Sequence, residues 1–96
     1  MSDEADGGGV VNNHARRRFE LTENGLTAFA DYREDGEVLL VPHVEAPHAL
    51  RGTGAAGRLM QGLLEQIRRD RKKIAPLCPY AAAYIRRHPE YEDLVA

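Results

Sequence analysis

The hydrophobic period of this sequence first changes at a short glycine-rich segment. Upstream of Arg51 apolar and polar residues alternate. Phe19 and Leu21 point to one side of a strand, and Arg18 and Glu20 point to the other. Downstream, Leu59, Met60, Leu63, Leu64 and Ile67 recur at helical spacing and form one apolar stripe. A chain that switches period in this way buries a helix against a sheet built mostly before it.

Two turn signals divide the upstream half. Asn24-Gly25 and Asp35-Gly36 each separate strand-like runs, and both turn positions favour residues that tolerate positive φ. Three antiparallel strands are therefore predicted as a meander: from Arg16, from Leu26 to Tyr32, and from Glu37 to Val41. The third is nearly all apolar and is expected at the centre, buried on both faces. Pro42 has no N–H, so a bulge or splay is expected there, and Pro47 discourages further strand. The helix is predicted over residues 54–71 and a fourth strand over 73–77. Pro79 can open a helix that runs to about Arg87, and Pro89 ends it, with a last turn over 90–96. A helix between the third and fourth strands makes a parallel crossover, expected to be right-handed. The fold class is α+β: an antiparallel three-strand meander, a long helix, a parallel fourth strand and a C-terminal helix.

The bulk numbers narrow the function classes. The 96 residues suit one domain. Residues 1–14 read as a flexible tail, with little to bury, and 15–96 as the folded domain. The formal net charge of -2 argues against a dedicated nucleic-acid binder. The basic runs Arg16 to Arg18 and Arg68 to Lys73 read as solvated surface. No apolar run reaches the length of a membrane span. The acidic, glycine-rich start lacks the apolar core of a secretory signal. The single cysteine, Cys78, cannot form an internal disulfide. A cytoplasmic monomer is the simplest expectation. The histidines and Cys78 lack zinc-ligand spacing, so no metal is expected.

The segment Arg51-Gly52-Thr53-Gly54-Ala55-Ala56-Gly57 carries the chemistry. The first four N–H groups of a helix have no partner within it, and they sit at the positive end of the helix dipole. Small residues there let a diphosphate approach the backbone. A plain structural turn is one reading. A dinucleotide fingerprint is another, since Gly52-x-Gly54-x-x-Gly57 matches its spacing. Its context fails: antiparallel hairpins come first, about ten residues separate Val41 from Gly52, and Lys72 and Lys73 stand where an acidic residue is expected. A nucleotide-triphosphate loop fails too, because Arg58 and Leu59 follow Gly57.

Arg51-x-x-Gly54-x-Ala56 resembles the acyl-CoA pyrophosphate loop of the GNAT superfamily of N-acetyltransferases. Val41-Pro42-His43-Val44-Glu45-Ala46-Pro47 before it, with Pro76-Leu77-Cys78-Pro79-Tyr80 and His88-Pro89-Glu90-Tyr91 after it, resemble the minimal single-domain branch of that superfamily. The similarity runs from about Arg16 to Val95. Pro42 departs from the branch, which usually has an apolar strand residue there.

The resemblance implies a three-layer arrangement of sheet and helices, acetyl-CoA as cosubstrate, and an amine as acceptor. A domain with few long loops favours an exposed amine, such as a protein lysine or N-terminus. His43 is the candidate base, because imidazole exchanges protons near neutral pH. Cys78 ends the fourth strand and is expected to face the same cleft as His43. It is a candidate general acid towards the CoA thiolate, a covalent acetyl relay, or a small buried hydrophobe. By resemblance, a backbone N–H near Val44 holds the oxyanion and Ala46 pairs with the pantetheine arm. Arg51, Gly52, Thr53, Gly54, Ala55, Ala56 and Gly57 are the cofactor-binding residues, and Arg58 is a further cation within reach. A CoA-binding or regulatory module without turnover is the alternative function.

Overall fold

The computed structural model describes residues 9–96. Its sheet has five strands in the order β1-β2-β3-β4-β5. These are β1 (Val11–Asn13), β2 (Arg18–Glu23), β3 (Leu26–Asp35), β4 (Val38–Glu45) and β5 (Lys73–Pro76). The first four pair antiparallel in sequence, and β5 joins β4 in parallel. Helix α1 (Ala55–Arg69) supplies the crossover, and α2 (Pro79–Arg87) follows β5. Short 3-10 turns cover His48–Leu50 and Pro89–Leu94.

The first predicted turn works as its residues dictate, whereas the second falls on Gly36 and Glu37, with Gly36 at φ 62° and Asp35 still paired with Val38 as the last residue of β3. Asn24 and Gly25 take φ values of 53° and 76°, the left-handed pair that a tight hairpin needs. Pro79 opens α2 at its first turn, where its missing N–H costs nothing.

One apolar core forms on one face of the sheet. Phe19, Leu21, Ala28, Ala30, Tyr32, Leu39, Val41 and Ile74 project from the strands into it. Leu59, Met60, Leu63, Leu64 and Ile67 meet them from α1, and Ala81 and Ile85 from α2. Gln66 is the one buried polar side chain among the described residues, and its Nε2 donates to the Val10 carbonyl at 2.7 Å. That bond offsets the desolvation of the amide.

Three expectations change. The flexible tail expected over residues 1–14 fails for residues 10–13: Val10 lies in the core, Val11 to Asn13 pair with β2, and the Tyr32 hydroxyl donates to Asn12 Oδ1 at 2.7 Å. Residues 1–8 of that expected tail lie outside the described residues. The third predicted strand, now β4, is not buried on both faces. Leu39 and Val41 enter the core, while Val38 and Leu40 point away from it and stay half-buried. It lies one strand from the edge, with only β5 beyond it. The three layers are two among the described residues. Both helices and the Pro89–Leu94 turn share the single core. The opposite face keeps the alternate residues Arg18, Glu20, Phe29, Asp31 and Leu40, all only partly covered.

Candidate functional site

The site begins where β4 and β5 part. Their pairing ends at Val41 opposite Pro76. The Cys78 N–H donates to the Val41 carbonyl at 3.0 Å, and the chain then turns into α2. Residues 43–45 of β4 keep β3 as their strand partner and no longer pair with β5.

A bulge at this point turns the backbone. Arg33 pairs with Leu40 but Asp31 pairs with His43, so Tyr32 alone stands opposite Val41 and Pro42. The expected irregularity at Pro42 is this bulge. Its consequence follows from alternation along the strand. The Tyr32 N–H donates to Arg17, towards β2. The peptide groups of Asp31 and Phe29 therefore face β4, and bond with His43 and Glu45. Val44, between those two, turns its N–H and C=O away from β3, into the gap left by β5. Ala46 follows in the same sense, and its carbonyl accepts from Arg51 Nε at 3.4 Å.

The glycine loop borders that gap. Gly52 and Gly54 take φ values of 82° and 89°, which a side chain disfavours. Gly54 is the N-cap of α1 and offers no side-chain cap. The Thr53 hydroxyl donates to the Leu50 carbonyl at 2.6 Å and accepts from the Ala55 N–H at 3.3 Å, which pins the loop from below. The first bond of the helix ladder is Arg58 N–H to Gly54 C=O, so the amides of Ala56 and Gly57 precede the ladder. Together with Gly52 and Gly54, they carry no bond to the described residues.

Three side chains frame the loop: Arg58, Tyr80 and Tyr84. Arg58 is locked by Glu23, with Nε and Nη2 each 2.8 Å from one carboxylate oxygen. That guanidinium holds the Glu23 carboxyl below the usual carboxylate range. A Cβ on Gly54 would lie 3.0 Å from Arg58 Nη1, so the third guanidinium nitrogen stands over the loop. On the other side, a Cβ on Gly57 would lie 3.8 Å from the Tyr80 hydroxyl and 3.7 Å from the Tyr84 ring. Burial pushes both phenols above their ordinary value, so they keep their protons at neutral pH.

His43 and Cys78 border the same gap but from opposite faces. His43 shares the open face with its cross-strand neighbour Asp31 and with Phe29, whose ring centroid is 6.0 Å away. Its side chain is 52% exposed, and its Nε2 lies 2.8 Å from Glu45 Oε1. Cys78 is buried at 7% exposure in the core on the helix side. One shared cleft was expected. The bulge, by restoring Asp31 and His43 to register, places the imidazole on the bare side of the sheet instead. Glu45 was missed. The signal was there, since two residues apart on a strand means one face, but Pro42 and Pro47 made the segment read as the end of the strand.

Among the described residues no helix is long and apolar enough to cross a membrane, and no group of histidine, cysteine and acidic residues is arranged to hold a metal ion. Comparison with curated proteins gives no significant match. The family profile described as GCN5-related N-acetyl-transferase matches residues 18–94. That span runs from the start of β2 to the end of the last 3-10 turn, and so takes in the bulge, the gap, the glycine loop and Cys78. The mixed sheet, the single long crossover helix and the loop of unpaired amides at its start agree with that match, and the chain belongs to the GCN5-related N-acetyltransferase family.

Proposed function

We propose that this protein transfers the acetyl group of acetyl-CoA to a primary amine, with a protein lysine or N-terminus as acceptor. The observation that carries this reading is the row of unpaired backbone donors along one side of the gap: Val44, then Gly52, Gly54, Ala56 and Gly57. A diphosphate suits the helix end of that row. The pantetheine amides suit the unpaired edge of β4 from Val44 towards Ala46, Arg51 adds positive charge, and Arg58, its charge matched by Glu23, presents Nη1 over the loop. An exposed acceptor amine suits His43 because the sheet face around it is bare.

In this reaction the amine nitrogen bonds to the acetyl carbon, and the C–S bond then breaks to release CoA. The excess proton on nitrogen passes to His43. The Val44 N–H stabilises the negative charge that develops on the carbonyl oxygen, where a fixed donor does most good. Cys78 stands at the helix-side wall of the gap and supplies the proton that the departing thiolate takes up. A reducing cytoplasm keeps that thiol free.

The test has two arms. Acetyl-CoA at about 100 times its dissociation constant stabilises by about 2.7 kcal/mol, which in a domain this small raises Tm by several degrees. Acetyl transfer to a peptide and amine panel should be slowed about 100-fold or more by His43→Ala, and also slowed by Cys78→Ala, with little change in the acetyl-CoA shift. Binding without transfer to any amine would leave a CoA-binding module. No shift at millimolar acetyl-CoA would remove the reading altogether.

A further inference from the structure

We propose that Glu45 is a positioning residue for His43, fixing which ring nitrogen takes the proton; this rests on the reading of His43 as the base. The 2.8 Å contact joins Nε2 of His43 to Oε1 of Glu45. An ionised carboxylate has no hydrogen to give, so the bond exists only if Nε2 carries the proton. The neutral imidazole then has its lone pair on Nδ1, and no described group bonds to Nδ1. Left alone, a neutral imidazole divides between two tautomers. Here one hydrogen bond selects one of them, by the same logic that sets the orientation of a reacting histidine elsewhere.

The strand places the two side chains side by side. His43 and Glu45 are alternate residues on one face of β4, and each lies opposite a β3 residue, Asp31 and Phe29. The Phe29 ring stands beside the imidazole at 6.0 Å, and the Arg18 guanidinium lies over the same ring at 4.2 Å. The imidazole is therefore bounded by an aromatic wall on one side and a carboxylate on the other. When Nδ1 takes the proton from the amine nitrogen, the imidazolium that forms remains bonded to the Glu45 carboxylate. That proton later leaves to solvent, and Glu45 never carries it.

Two measurements test this. Ring nitrogen NMR of His43 in the free protein should show the Nε2–H tautomer. Glu45→Ala should give a mixture of tautomers, and Glu45→Gln, whose amide oxygen still accepts, should restore the parent spectrum. In acetyl transfer, Glu45→Ala should lower kcat about tenfold or more, a part of the 10²–10⁴ that a positioned base supplies. KM for acetyl-CoA should be unchanged, and Glu45→Gln should recover part of kcat. A tautomer unaffected by Glu45→Ala overturns the proposal. So does a Glu45→Gln variant as slow as Glu45→Ala, which would assign the proton to Glu45 itself. A parent protein that transfers no acetyl group sinks the catalytic reading of both residues, and the tautomer spectrum then shows that the failure lies there and not in the geometry.

Discussion

Arg58 illustrates how one side chain joins distant parts of the chain. Its bidentate bond to Glu23 ties the first turn of α1 to the β2–β3 hairpin, and Arg68 makes the same kind of pair with Asp93 near the C-terminus. Both carboxyls titrate below their ordinary range, chiefly because of the hydrogen bonds from their arginines. A carboxyl depressed by folding contributes stability that is present above its unfolded pKa and is lost as pH falls through its folded one. Melting curves should therefore show the parent losing more Tm between neutral pH and the acid range than the double variant Glu23→Gln, Asp93→Asn. Equal acid sensitivity would mean that solvent screens these exposed pairs fully. Neither pair was legible in the sequence, since the partners are 35 and 25 residues apart and nothing local signals them. Glu45 was nearer to legible: its spacing from His43 names it as soon as the strand is known to continue past Pro42.

At the scale of elements, α1 organises the core. Leu59, Leu63 and Leu64 are fully buried in it, and the helix packs across β2, β3 and β5. Leu63→Ala should lower the unfolding free energy by about 2–5 kcal/mol in denaturant melts, the range for a leucine cavity that collapses only in part. A change under about 1 kcal/mol would show that this position tolerates a cavity freely, against the packing described. The helix was legible because its stripe, Leu59 to Ile67, runs over about two and a half turns. The strand β1 was not. Three residues with one buried neighbour, Val10, carry no period, and what orders them is tertiary: the Gln66 bond to Val10 and the Tyr32 bond to Asn12. The burial of β4 was misjudged for a related reason. An all-apolar run shows that a strand is shielded, but it does not show how many layers do the shielding.

In the molecule as described, α1 and α2 lie on one side of the sheet and the gap between β4 and β5 opens beside them. The bare face and the helix face therefore meet at one edge, with His43 on the first, Cys78 on the second and the unpaired amides between. The loop, its helix and the succession β2 to β5 were legible in the sequence. The sequence did not supply the phase of the backbone at the bulge, which decides where His43 points and which way the Val44 N–H faces. That phase depends on the pairing of Asp31 with His43, a contact no single segment encodes. The central claim, that these amides are shaped for an acyl-CoA, is tested most directly by following backbone amide resonances while acetyl-CoA is titrated in. The largest shifts should fall on Gly52, Gly54, Ala56 and Gly57, with Val44 moving alongside them. Saturation with acetyl-CoA that leaves those five resonances in place and moves others would contradict the account.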